Sequence, residues 1–190
     1  MRLHCARIRK PVQSVNVSRR LSIKSYSMEK SRSSPRLILV CGLPGSGKTT
    51  LATQLEGKLR AIRFAPDEWM SALSLDLYDE ASRAKIEALQ WKLAQELLAQ
   101  GLTVIIEWGT WGRSERDTLR LGARALGAAV ELHSLAGPLE VLFERIQRRN
   151  AENPPLEREA MVQWFEKFQT PTPAEMALFD APCTWRTDAL

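Results

Sequence analysis

Eight residues set the strongest limit on what this chain can fold into. Gly42-Leu43-Pro44-Gly45-Ser46-Gly47-Lys48-Thr49 follows an apolar run at residues 37–41 and opens a helical pattern. Such a run ends a strand in a loop whose backbone N–H groups point at a polyphosphate, and only glycine lets the main chain come that close. Gly42, Gly45 and Gly47 supply those positions, with Leu43, Pro44 and Ser46 completing the loop. Lys48 reaches the β- and γ-phosphates, the Thr49 hydroxyl is placed for Mg²⁺ with Thr50 after it, and the helix from about Lys48 adds its dipole. The plainer alternative is a glycine-rich strand-to-helix turn carrying an exposed lysine.

The rest of the chain continues the alternation that begins there. Leu51, Leu55 and Leu59 recur at fourfold spacing in the first helix, and a short extended piece at 61–65 ends at Pro66-Asp67. From about 80 to 100, Ile86, Leu89, Leu93 and Leu97 mark a long amphipathic helix stopped by Gly101. Residues 102–106 are too apolar and β-branched for anything but a buried strand, which ends at Glu107. Ser114 caps a helix to Leu126, residues 129–135 form a strand, and Pro138 begins a helix through Arg149. A further amphipathic helix follows at about 157–168, Thr172-Pro173-Ala174-Glu175 starts a short one, and 183–186 reads as a last strand. Strands alternating with helices demand parallel pairing through right-handed crossovers, so the expected class is α/β with a parallel sheet covered on both faces. The ligand of such a sheet lies beyond the carboxyl ends of its strands, where Gly42, Asp67, Glu107 and Gly137 should converge.

At 190 residues with 44% apolar content the chain suffices for one packed domain, and no apolar run approaches the roughly twenty residues that span a bilayer. Its net charge of +5 is unevenly placed. Residues 1–36 hold ten Lys/Arg and the single acid Glu29, which leaves 17 basic and 21 acidic residues for 37–190. The expected organisation is a basic N-terminal extension over 1–36 and a mildly acidic domain over 37–190. A nucleic-acid-binding domain carries positive charge on its folded surface, so this balance argues against polynucleotide affinity. The extension has the composition of an organellar transit peptide, although a disordered tail, or sequence upstream of a start at Met28, ranks above that reading. Cys5, Cys41 and Cys183 show neither metal-ligand spacing nor a disulfide framework, which fits a reduced, cytoplasmic compartment.

Phosphoryl transfer needs a phosphate clamp, Mg²⁺, a group that takes the acceptor's proton, and positive charge on the moving phosphoryl. Asp67, fixed after the second strand by Pro66, can orient a hydroxyl and take its proton; it can also cap the helix that follows. Glu107 stands where nucleotide-binding folds keep an acid for the metal's water shell, and it is also placed to hold an acceptor. Arg145 and Arg149 lie four apart on one helical face, from which both reach over phosphates when the segment closes. The alternative is a solvated basic face with Glu144 paired to Arg148. Trp69, Trp108 and Trp111 flank the two acids, and the loop Trp108-Gly109-Thr110-Trp111-Gly112-Arg113 suits a flat or apolar acceptor.

Taken together, the phosphate loop, Asp67, Glu107 and the two arginines resemble the small P-loop kinases. These include the kinase half of polynucleotide kinases, chloramphenicol phosphotransferase and zeta-toxin-like enzymes, grouped as AAA-domain ATP-binding proteins, and the resemblance spans about 37–150. It implies an adenylate-kinase-like sheet of five parallel strands with the P-loop strand in the centre, and a mobile helical lid over bound ATP. It also implies Asp67 as catalytic base, with Lys48, Arg145 and Arg149 steadying the phosphoryl group. Two positions depart from the polynucleotide kinases: Met70 stands where an arginine follows the aspartate, and Glu107-Trp108-Gly109 replaces Asp-Thr-Asn. Both point away from a nucleic-acid 5′-hydroxyl and toward ATP- and Mg²⁺-dependent phosphorylation of a small-molecule hydroxyl. The rivals are a nucleic-acid end kinase and a nucleotide-dependent switch with weak ATPase activity. No Asn/Thr-Lys-x-Asp run for reading guanine is present, and 190 residues leave no room for the helical lid domain of an oligomeric AAA+ motor.

Overall fold

The computed structural model describes residues 34–149 and 155–181. The chain divides between Lys30 and Ser31 into two units, and every described residue belongs to the second. Among these residues, strands β1 (Arg36–Gly42), β2 (Ile62–Phe64), β3 (Thr103–Gly109) and β4 (Ala129–Leu135) pair in the order β2-β3-β1-β4, all parallel. The P-loop strand is therefore interior, as expected. Four strands are seen where five were expected, because the segment at 183–186 lies outside the described residues. So do Cys5, Cys183 and the extension as far as residue 33.

The helices are α1 (Lys48–Leu59), α2 (Pro66–Ala72), α3 (Glu80–Ala99), α4 (Arg113–Ala125), α5 (Leu139–Arg149), α6 (Arg158–Lys167) and α7 (Pro173–Met176). The period-two pattern of β1 decides how they pack. Leu37, Leu39 and Cys41 share one core with Ala94 and Leu98 of α3 and Leu119 and Ala123 of α4, whereas Ile38 and Val40 meet Ala52 and Leu55 of α1. Burial on both faces explains why β1 and β3 read as continuous apolar runs. A third cluster joins Leu43 of the phosphate loop to Leu142 and Ile146 of α5, with Leu156 and Met161 alongside, so α5 and α6 are anchored on the loop itself.

Several element boundaries differ from the sequence expectation. The buried row of α3 is Ile86, Gln90, Ala94 and Leu98, while Leu89 is 48% exposed. The helix turns this row to the sheet because Ala94 at its middle permits close approach, and Leu93 and Leu97 pack at its flank. The cap of α4 is Gly112 rather than Ser114, and Glu115 reaches back to the Gly112 backbone N–H, so the acid half of a capping box does the work. Ala65 is the N-cap of α2 with Pro66 next, which places Asp67 inside the first turn and leaves its carboxylate unused by the cap. Strand β3 runs two residues past Glu107 to Gly109.

The Arg116 guanidinium is fully enclosed. Arg116 of α4 is 0% exposed, and its Nε and Nη2 donate to the two carboxylate oxygens of Glu175 at 2.7 and 3.0 Å. Nη1 donates to the carbonyls of Thr110 (2.9 Å) and Trp111 (3.1 Å), and Nη2 also to that of Gln169 (2.9 Å). All five guanidinium donors are thereby used, which is what a buried charge requires. Glu175 stays in place because Thr172 caps α7. Removing the carboxylate strands the charge: Glu175→Ala should cost about 3–5 kcal/mol in urea unfolding.

A second acid, Glu87 of α3, has no such partner. Loss of water contact pushes its carboxyl from the ordinary 4.5 up to about 7, with the like charge of Glu115 adding to the shift and Arg83 opposing it. Between those two pH values the folded state holds a proton that the unfolded state has released. The stability this provides is complete below pH 4.5 and is lost as pH rises through 7. Glu87→Gln should melt above wild type at pH 8, with the gap closing toward pH 5. Partial solvent contact limits the pH 8 difference to about 1–2 kcal/mol.

Candidate functional site

The loop from Gly42 to Gly47 is built as an anion cradle. Gly45 has φ of 77°, and a Cβ there would lie 2.5 Å from the Leu142 carbonyl oxygen, so glycine is what allows α5 to lie against the loop. Helix α1 begins with Gly47 as its cap, which offers no side-chain acceptor to the first N–H groups. Ser46 is buried, and its hydroxyl has no hydrogen-bond partner among the described residues. Unsatisfied donors at a helix N-terminus are the arrangement that phosphate fills. Lys48 Nζ donates to the Leu43 carbonyl at 3.0 Å, bent back over the same loop. Burial depresses its pKa, while the carboxylates of Glu107 and Asp67 pull in the opposite direction.

Behind the loop, Thr49 Oγ1 donates to Glu107 Oε1 at 2.5 Å. Glu107 is 8% exposed, and its second oxygen accepts from Arg63 Nη1 at 2.9 Å. Arg63 of β2 also binds Glu56 of α1 (3.1 Å) and Glu68 of α2 (2.6 Å), so one guanidinium ties three elements around the acid. The parallel register of β1 and β3 brings Glu107 beside the end of β1 and hence beside Thr49. A hydroxyl and a carboxylate in contact are hard oxygen donors of the kind Mg²⁺ prefers, and a cation held there would need its remaining ligands from phosphate and water. Among the described residues no group of three or more His, Cys, Asp or Glu side chains could hold a metal unaided.

In front of the loop opens a crevice of about 540 Å³. Pro44, Lys48, Glu107 and Arg149 line its phosphate end. Asp67 lines it too, and its Oδ1 accepts from Arg83 Nη2 at 2.6 Å. Arg83 is held in turn by the Leu77 carbonyl at 3.1 Å. The far walls are aromatic: Trp108, Trp111, Trp164 and Tyr78. Trp108 is fixed by donation of its indole N–H to Gln90 Oε1 at 2.8 Å, and the Trp111 and Trp164 rings meet at 5.7 Å with planes 50° apart.

The structure thus brings Lys48, Asp67, Glu107, Trp108, Trp111 and Arg149 to one crevice. It does not bring the others. Trp69 packs edge-on against Phe64 at 5.9 Å, the Arg113 side chain pairs with Asp117 at 3.5 Å, and Arg145 is exposed on α5 outside the crevice walls. Arg83, Tyr78, Thr110, Glu115 and Trp164 line the crevice without having been singled out from sequence. Arg83 sits among several charged residues on an amphipathic helix, and nothing in the spacing separates it from Lys85 or Glu87. Trp164 shares its helix with Met161, Val162 and Phe165, so nothing in the sequence separates it from an ordinary packing residue.

Solved structures give the fold a context. A gluconokinase from Sinorhizobium meliloti 1021 superposes with a TM-score of 0.54 and 22% identity, over 74% of this chain and 78% of that one. Kti12 of Chaetomium thermophilum, solved in complex with ADP-AlF3, gives 0.56 and 23% identity over 73% and 82%. A chain of the Pnkp1/Rnl/Hen1 RNA repair complex gives 0.60 and 20% identity over 77% and 46%. At such identities the likeness establishes the fold, that of a P-loop NTPase. No protein of curated function matches the chain in sequence. The family model described as AAA domain matches residues 37–171, most of the chain and all of the crevice's walls, and the chain belongs to that family.

Proposed function

We propose that the protein is an ATP- and Mg²⁺-dependent kinase that phosphorylates a hydroxyl of a small molecule. The observation that carries this reading is the placement of the Asp67 carboxylate and the Lys48-bearing loop on one crevice, with room beside them for an acceptor. A bare nucleotide switch would need the loop but not the carboxylate or the aromatic space.

In this reading the loop amides, Ser46 and Lys48 bind the β- and γ-phosphates of ATP, and Arg149 faces them from α5. Mg²⁺, held by Thr49 with Glu107 behind it, would offset the charge of the phosphate oxygens. The acceptor O–H lies against Asp67, which takes the proton as the acceptor oxygen bonds to the γ-phosphorus. The bond from that phosphorus to the β–γ bridging oxygen breaks, and ADP leaves. Such a transition state is loose, so placing the hydroxyl in line matters more than the strength of the base. Arg83 suits that demand, since its bond to Oδ1 fixes the carboxylate and leaves Oδ2 for the acceptor.

The size and aromatic walls of the crevice support a small molecule as acceptor, and the acidic balance of 37–190 weighs against a polynucleotide. Asp67→Asn should bind Mg-ATP with wild-type affinity in calorimetry while phosphoryl transfer falls by about 10²–10⁴. Unchanged turnover in this variant would remove Asp67 from the reaction. Lys48→Ala should instead lose nucleotide affinity by about tenfold or more, the worth of a charge-assisted phosphate contact.

A further inference from the structure

With ATP assigned to the phosphate end, the charges along the crevice can be paired off one by one. Lys48 and Arg149 face phosphate, Asp67 is bonded to Arg83, and Glu107 is held by Thr49 and Arg63. Glu115 is left over. Its half-buried side chain lines the crevice and accepts the backbone N–H groups of Gly112 and Trp111, which leaves acceptor sites on the carboxylate open. Among the described residues no lysine or arginine is paired with it. Arg116 draws its pKa down through space, but that guanidinium is committed to Glu175.

The surroundings sharpen this deficit of positive charge. Loss of water raises the Glu115 pKa against the pull of its backbone bonds. Glu87 of α3 is pushed up to about 7 by burial and by the like charge of Glu115, with Asp67 adding to the shift and Arg83 opposing it. The walls beside Glu115 are indole rings, whose faces attract a cation within about 6 Å. The Trp108 ring is fixed by the buried Gln90, and Trp111 meets Trp164 at an angle of 50°, so the aromatic surface is ordered before anything binds. Two further charges line the crevice, Glu80 at the start of α3 and Lys167 at the end of α6. Both are exposed and of opposite sign, and water screens them far more than it screens Glu115.

We propose that the acceptor is a cationic alcohol, with its ammonium group held between the Glu115 carboxylate and the tryptophan rings and its hydroxyl directed to Asp67. The word acceptor rests on the kinase reading above, but the cation subsite does not require that transfer occurs. A carboxylate and aromatic faces acting together select an amine over a neutral alcohol of the same shape, and they reject an anion.

The test uses the full chain with Mg-ADP present, so that the phosphate end is filled, and three probes that share one ring and differ in end group: 2-phenylethylamine, 2-phenylethanol and 3-phenylpropionate. Ligand-observed NMR titration should show the amine binding about tenfold or more tighter than the alcohol, the worth of a charge-assisted hydrogen bond, with the carboxylate weakest. Glu115→Gln, which still accepts from the Gly112 backbone, should bring amine and alcohol to within about threefold of each other at an unchanged melting temperature. Raising the pH from 5 to 8 ionises the two acids while the amine stays charged, so its affinity should climb over that range and the alcohol's should stay level. A wild-type protein that binds no probe, or that ranks the alcohol or carboxylate at or above the amine, overturns the proposal. So does a preference that survives Glu115→Gln, or an amine affinity that is level in pH. Calorimetry of Mg-ADP on the same samples keeps the two readings apart. Absent nucleotide binding in wild type defeats the kinase reading alone, whereas intact nucleotide binding with no preference for the amine defeats only the cation subsite.

Discussion

The buried guanidinium of Arg116 is the constraint from which the working face of this fold is built. A charge without water must find an acceptor for every donor, and the only way this chain supplies five is to gather three segments around one point. Glu175 brings in the short helix α7, the Gln169 carbonyl brings in the end of α6, and the carbonyls of Thr110 and Trp111 bring in the turn after β3. A hydrophobic substitute for the pair could fill the volume, but it could not dictate where three carbonyls point. The ion pair therefore stabilises modestly and specifies strongly, because the turn it positions is the one that carries the aromatic wall.

A similar logic governs the phosphate end with weaker burial. Glu107 is held by Thr49 on one oxygen and Arg63 on the other, and Arg63 also donates to Glu56 and Glu68. Strand β3 delivers Glu107, β2 delivers Arg63 and α1 delivers Thr49, so the geometry of the acid is a consequence of parallel register. The same strand ends in Trp108 and Gly109, so Glu107 and the aromatic wall lie side by side along the crevice.

Much of this was legible in the sequence, because the features concerned are local. The phosphate loop is one continuous octapeptide, the strands are apolar runs with no competing period, and Thr172-Pro173 announces its helix within four residues. Asp67 follows β2 and Glu107 lies near the carboxyl end of β3, and because strand ends converge by topology the sequence alone brings both acids to one crevice. What stayed hidden depends on pairs distant in the chain. Arg116 and Glu175 are 59 residues apart, and each looks like an ordinary charged helix residue. Arg83 meets Asp67 across 16 residues, and Arg63 meets Glu107 across 44. The row of α3 that faces the sheet was misread because Leu89 is a stronger hydrophobe than Ala94, although the smaller residue packs closer. Ser114 has the side chain of a cap, but the backbone enters α4 two residues earlier, at Gly112.

The pairing of Asp67 with Arg83 bears on why a carboxylate can serve here at all. The Arg83 guanidinium, 2.6 Å from Oδ1, fixes where the carboxylate points. In the proposed reaction position is what matters, since the acceptor's proton becomes acidic only as its oxygen bonds to phosphorus, late along the path. Until then the carboxylate's task is to hold the hydroxyl in line, and for that a fixed rotamer is worth more than basicity. Met70, three residues after Asp67 on α2, brings no charge to the acid. The cation comes from Arg83 of α3 instead, which lines the same crevice and fixes the Asp67 carboxylate within it.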